Sequence, residues 1–287
     1  MSRNKDRLTS GASQPDTNPP PHVMQEEQAA GGFSFVVPTE FVELPSGGKF
    51  YPPTHPLHNQ DSIEIKQMTA KEEDMLTSRT LLKKGVALDR VIRNVIVDRK
   101  IDPDSLLIGD KNAIIVATRV SGYGNDYSTS VNCPACGETQ RYEFDLNDAD
   151  IYAGDDYEEL GAIPNEDGTF NLTLPRTQVD VTLRLLTGRD EKALSDGMEM
   201  DRKSKKGERT ITRQLTHIIS AVDGDTSRES IQYLIENAPA MDTRQLRLVY
   251  RAIAPNLDLT QHFECSECDH TQEMEVPLTA DFFWPDR

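Results

Sequence analysis

Four cysteines have the clearest capacity for chemistry in this chain. They stand as Cys133-Pro-Ala-Cys136 and Cys265-Ser-Glu-Cys268, two Cys-x-x-Cys pairs far apart in the sequence. One such turn presents two thiolates from a tight backbone loop, and two turns supply the four corners of a tetrahedral zinc site. Strand-like residues flank each pair: Tyr127, Thr129 and Val131 before the first and Tyr142 and Phe144 after it, Leu259 and Phe263 before the second and Met274 and Val276 after it. Two hairpins meeting tip to tip make a zinc ribbon. The expected metal ligands are therefore Cys133, Cys136, Cys265 and Cys268, around a structural Zn2+.

Other uses of these thiols fit less well. A thioredoxin-like redox pair needs its thiolate at a helix N-terminus within a strand-helix-strand unit, whereas these pairs sit on hairpin tips. A catalytic zinc keeps one position open, and four thiolates close the shell and make a poor Lewis acid. With four cysteines present, His262 and His270 read as surface residues. The remaining histidines, His22, His55, His58 and His217, show no spacing of a base or a metal site. No Gly-x-Ser-x-Gly, His-Glu-x-x-His or phosphate loop appears. Gly47-Gly48-Lys49 lacks the earlier glycine and the following Ser or Thr of such a loop. The pattern points to a protein that is not an enzyme and takes no small-molecule substrate.

The elements that position the cysteines come twice. Ile63 and Ile65 alternate with polar residues as a strand, and Thr69 with Glu72 has the spacing of a helix capping box. Val179, Val181, Leu183 and Leu185 alternate likewise before Thr187 and Asp190. A basic turn follows in each case, Lys83-Lys84-Gly85 and Lys205-Lys206-Gly207. A periodic helix is then predicted to present Leu88, Val91, Ile92, Val95 and Ile96 in one copy and Ile211, Leu215, Ile218, Ile219 and Val222 in the other. Short segments, Asp102 to Leu107 and Thr226 to Ile235, lead to a last helix with Asp110 or Asp242 as its N-cap. From there the register is constant: Arg119 and Arg251, Asp126 and Asp258, Cys133 and Cys265, Gln140 and Gln272, Glu143 and Glu275 are each 132 positions apart. An ungapped run of identities ending in a repeated Cys-x-x-Cys implies tandem duplication.

The fold class that follows is α+β, a duplicated strand-helices-knuckle unit whose two Cys-x-x-Cys hairpins join in one zinc ribbon. Residues 1–32, rich in Ser, Pro, Gln and Gly, read as a disordered N-terminal arm. Residues 33–146 form the first repeat, 147–167 an acidic connector and 168–287 the second repeat. The connector lacks the rhythm of a calcium loop. Its acids read as solvated, as do the basic runs at Lys83-Lys84 and Arg202 to Arg209.

Charge bounds the partners. The 48 acidic and 31 basic residues leave a formal charge of -17, which a nucleic-acid backbone repels unless a basic patch is segregated, and none is visible. No apolar run approaches the length of a membrane span, and the start of the chain is polar, so the expected setting is cytosolic and without a membrane. Four cysteines are too few for a disulfide scaffold.

Several stretches are distinctive in combination. They are Glu43-Leu-Pro-Ser-Gly-Gly-Lys-Phe-Tyr51, the run from Met68 to Gly85, Ile101-Asp-Pro-Asp-Ser-Leu-Leu-Ile-Gly-Asp-Lys111, the Gly122-Tyr-Gly124 turn, and Leu185-Leu-Thr-Gly-Arg-Asp-Glu-Lys192. Over roughly residues 40 to 280 the chain resembles the baseplate hub proteins of T4-like contractile-tailed bacteriophages. The resemblance implies a structural or assembly role, with other phage baseplate or tail proteins as partners. It places the chain in host cytoplasm during assembly and in the virion tail baseplate if it is retained. Residues 33 to 52 and the acidic connector are the expected contact surfaces. A zinc-ribbon regulatory or nucleic-acid-associated protein is the alternative.

Overall fold

The computed structural model describes residues 35–83, 85–154, 157–203, 209–277 and 282–283. The expected arm at 1–32, Lys84 and the turn at Lys205-Lys206-Gly207 lie outside them. The chain divides into two units, Met1–Val37 and Pro38–Arg287, and everything below lies in the second.

Alternating apolar residues pair first. β1 (Thr39–Glu43) runs antiparallel to β2 (Ser62–Lys66), with Val42 opposite Ile63. Val42, Ile63 and Ile65 turn inward. Thr69 then starts α1 (Ala70–Thr77) with the expected capping box: its N–H and hydroxyl both donate to Glu72, at 3.0 and 2.6 Å. After α2 (Arg79–Lys83) comes α3 (Ala87–Val95), which buries Val91, Ile92 and Val95. Ile96, read as a helix residue, has already left the helix to bridge Ile65. A 3-10 turn, Pro103–Ser105, leads to α4 (Ile108–Tyr123), and the first hairpin, β3 (Asp126–Asn132) with β4 (Thr139–Asp145), follows.

The acidic stretch contributes β5 (Asp150–Tyr152) and β6 (Ile163–Pro164). β6 edges a four-stranded antiparallel sheet that continues through β7 (Phe170–Thr173), β8 (Asp180–Leu183) and β9 (Ile219–Val222). Between β8 and β9 lie α5 (Gly188–Lys203) and α6 (Thr210–Ile218). Ile219 and Val222 therefore belong to a strand and not to the preceding helix, paired in register with Leu183 and Val181 of β8. The segment from 226 to 235 is likewise more than a link: it contains most of α7 (Arg228–Asn237), capped by Ser227. α8 (Ala240–Ile253), β10 (Asn256–Asp258) and the second hairpin, β11 (Thr260–Glu264) with β12 (Thr271–Glu275), complete the described chain. The architecture is mixed, with eight helices among the described residues and small antiparallel sheets.

Asp110 and Asp242 are not N-caps. Each is the third residue of its helix, after Leu107 and Pro239 in the cap position. Both are fully buried, and each carboxylate anchors a preceding loop. Asp110 accepts from the Ser46 N–H (3.0 Å), the Ser46 hydroxyl (2.6 Å) and the Tyr51 hydroxyl (2.7 Å). Tyr51 in turn accepts from the free N–H of Leu107 at 3.0 Å. Asp242 accepts from the Arg176 and Thr177 N–H groups (2.8 and 3.1 Å) and the Thr177 hydroxyl (2.9 Å). A carboxylate near a helix N-terminus also faces the positive end of the helix dipole.

The segments that follow the two hairpins cross over one another. β5 leaves the first hairpin and pairs with β10, and the Tyr152 hydroxyl donates to the Ala252 carbonyl at 2.7 Å. In the other direction, Phe282 follows the second hairpin and reaches α4 and β3: its carbonyl accepts from Arg119 Nε at 2.6 Å, and its ring lies edge-on to Tyr127 at 5.2 Å. The Tyr127 hydroxyl donates to the Pro277 carbonyl. Gly109 lets α4 touch the link between α8 and β10, since a Cβ there would fall 2.0 Å from the Pro255 carbonyl oxygen. One apolar core, including Ile65, Ile114, Phe144, Phe170 and Phe263, runs through both parts.

Asp110→Ala leaves three buried donors without their acceptor, and Asp242→Ala leaves three part-buried ones on the other side. Each is expected to lower unfolding free energy by about 3 kcal/mol or more, read from urea melts. Asp→Ala at exposed Asp61 is the control, with a change within about 0.5 kcal/mol.

Candidate metal centre

The two knuckles are built alike from backbone hydrogen bonds. The Cys133 N–H donates to the Glu138 carbonyl (2.8 Å) and the Gly137 N–H to the Cys133 carbonyl (2.8 Å). In the second, the Cys265 N–H donates to His270 (2.9 Å) and the Asp269 N–H to Cys265 (3.1 Å). The turn needs a left-handed residue, which is Gly137 at φ +76° in one and Asp269 at φ +53° in the other. Glycine fits that region freely, and aspartate is among the few other residues that tolerate it.

These turns bring together all four predicted ligands. Their sulfur atoms lie within 4.8 Å of one another, with 3.7 Å between Cys133 and Cys268 and 3.8 Å between Cys136 and Cys265. A Zn–S bond of about 2.3 Å gives a tetrahedron with edges of about 3.8 Å. None of the four is in a disulfide. The donor set thus fits a tetrahedral thiophilic metal. Cys133 and Cys265 are buried, and Cys136 and Cys268 face out.

Protonation within the group is strained. Donation from the Cys136 and Ala135 N–H groups brings the Cys133 thiol down to about 6, against the effect of burial. At Cys268 the His270 N–H also works downward, but burial and the three neighbouring sulfurs push the thiol up to about 12. The first thiolate forms readily, and the last forms only against the charge of the others. A bound cation removes that opposition.

Side chains lock the hairpins together around the sulfurs. Gln140 donates to the Glu264 carbonyl (3.0 Å) and accepts from the Ser266 N–H (2.9 Å), and the Tyr142 hydroxyl donates to the His262 carbonyl (3.0 Å). Gln261 and the Asp145 backbone exchange two hydrogen bonds, at 2.6 and 3.1 Å. The Tyr142 and Phe263 rings meet at 5.1 Å. Sequence reasoning noted Gln140 only as a repeated identity and assigned no role to Gln261 or Arg119. His262 is exposed beside Glu273, and neither it nor His270 belongs to the sulfur cluster.

A serine and a histidine do meet elsewhere, but in the wrong sense for catalysis. His55 Nδ1 accepts from the Leu57 N–H, so Nε2 carries the proton toward Ser105 Oγ at 2.9 Å. The Ser105 hydroxyl proton is given to the Asp102 carbonyl. Burial lowers the His55 pKa and keeps the ring neutral. Ser105 has no base there.

The family described as T4 bacteriophage base plate protein matches residues 37–284. The chain belongs to this family. Searches of curated proteins and of solved structures find no match. The resemblance read from the sequence holds at the level of the base plate, and membership makes the chain a structural component of a phage tail. Among the described residues of this base plate protein, no helix is long and apolar enough to cross a membrane.

Replacing Cys133 or Cys265 by Ser removes one donor from opposite halves of one site. Both variants are expected to lose tetrahedral metal binding, to well under one equivalent per chain by mass spectrometric metal analysis, and to lower the melting temperature equally. One retained equivalent after either change would mean that the halves do not share an ion.

Proposed function

We propose that the chain is a rigid, non-enzymatic structural or assembly component of the baseplate hub in a contractile phage tail, held in shape by one structural zinc at Cys133, Cys136, Cys265 and Cys268. The observation that carries this reading is the meeting of four sulfurs from hairpins 132 positions apart. A four-thiolate site is closed to substrate, and metal binding of this kind contributes on the order of 10 kcal/mol of apparent folding free energy.

Duplication supports the shared site. The offset of 132 carries Ile108, the start of α4, onto Ala240, the start of α8, and Thr139, the start of β4, onto Thr271, the start of β12. It also carries β5 onto residues 282–284. The two repeats would then exchange the segments that trail their hairpins, β5 for the first and residues 282–283 for the second. An exchanged, metal-stapled pair suits a part whose surface must keep its shape while neighbours dock.

The ribbon tip speaks against nucleic acid as a partner. Glu138, Glu264, Glu267 and Asp269 are all exposed around it, and they raise the cost of approaching a phosphate backbone. Other tail proteins are the partners expected, met in host cytoplasm during assembly.

A tagged chain expressed during infection is expected to copurify with hub or tail-tube proteins, and to release DNA in low-salt filter binding. Salt-sensitive DNA retention without any tail protein in the eluate would overturn the hub role in favour of a nucleic-acid-associated one.

A further inference from the structure

The two halves differ on one face. Along the offset of 132, Arg247, Leu248 and Arg251 of α8 correspond to Ile115, Val116 and Arg119 of α4. The three on α4 are buried, Arg119 completely. The three on α8 are exposed, with Leu248 at 43 % against 5 % for Val116. Counted from the capping threonines Thr69 and Thr187, Leu194 of α5 corresponds to the buried Leu76 of α1, yet Leu194 is only half-buried. What lies over Arg119 is the chain's own end: Phe282 gives its carbonyl to the guanidinium and sets its ring 5.9 Å away. The position matching Phe282 in the first half's crossing segment is Asp150, an exposed acid with no ring to offer. Its neighbour Ile151 is 41 % exposed, where Phe283 is 6 %.

The result is an open groove of about 1360 Å³ beside α8, with Leu194, Met198, Leu248, Tyr250, Arg247 and Arg251 in its walls. That is room for several side chains. An exposed arginine over an apolar floor is the kind of residue that dominates binding energy once a ring covers it.

We propose that this groove receives an extended segment of a different base plate protein, which lays an aromatic ring and a main-chain carbonyl on Arg251 as Phe282 does on Arg119. The segment is extended because a helix spends its interior carbonyls on its own hydrogen bonds. It comes from a different protein because a second copy would bring a formal charge of -17 to a groove already rich in acids. Glu191 is already paired with Lys111, but Glu159, Asp258 and Glu275 also line the groove and outnumber its two arginines, which calls for basic side chains beside the ring. The proposal rests on the assembly role above.

The test places the photocrosslinker p-benzoylphenylalanine at Leu248 and, in a separate variant, at exposed Phe41 of β1, in phage-infected cells. Base plate intermediates are isolated by a tag on this chain, and the crosslinked peptides are sequenced. Leu248 is expected to crosslink to another base plate protein within a few residues of a Phe, Tyr or Trp. Adding Arg251→Ala should cut that yield about tenfold, with metal content and melting temperature unchanged. Crosslinks from Phe41 alone, or crosslinks from Leu248 to a second copy of this chain or to a segment without an aromatic residue, overturn the groove while leaving the assembly role standing. Absence of the chain from every intermediate overturns both.

Discussion

Four sulfur atoms contributed by two hairpins, 126–145 and 260–275, must come within 4.8 Å of one another, and much of the fold exists to make that possible. Thiolates at that distance repel. Left alone, such a cluster opposes folding. With a thiophilic cation among them the same charges become the attraction that closes the ribbon. The glutamine and tyrosine contacts between the hairpins hold the knuckles in register and keep the four sulfurs together.

The crossings β5 to β10 and Phe282 to α4 act on the same joint from the other side. Each trailing segment packs where the opposite hairpin meets its helix, and Arg119 shows how completely this is done: a fully buried cation whose guanidinium is spent on the carbonyls of Gly124, Asp126 and Phe282. Lys111 adds a charged tie, linking α4 to Asp89 of α3 at 3.0 Å and to Glu191 of α5 at 2.8 Å. A chain with a formal charge of -17 repels itself, and buried, fully paired cations of this kind place positive charge where it offsets that repulsion. Rigidity is the property that a part of a large assembly needs, since every flexible joint would add an ordering cost on docking.

Local signals carried the reading of the sequence furthest. The capping box at Thr69 and Glu72, the hairpins around the cysteines and the pairing of Cys133, Cys136, Cys265 and Cys268 rest on short-range patterns, and all are present in the structure. Long-range partners left no such pattern. Ile219 and Val222 extend the periodicity of α6, and only their pairing with β8 makes them a strand; a short apolar run does not reveal its partner. Asp110 and Asp242 stand where a cap would be plausible, and their acceptors' work for distant loops is written in Ser46, Tyr51 and Thr177 instead. The crossing of β5 was hidden because the residues that match along the offset, Asp150-Ile151 and Phe282-Phe283, keep position without keeping chemistry.

Hydrogen–deuterium exchange on the metal-loaded protein, repeated after the metal is stripped under reducing conditions, bears most directly on the shared centre. If one ion ties the halves, protection falls together in both hairpins, 126–145 and 260–275, and in β5 and β10 beyond them. Loss confined to one hairpin, or unchanged protection in both, would contradict it.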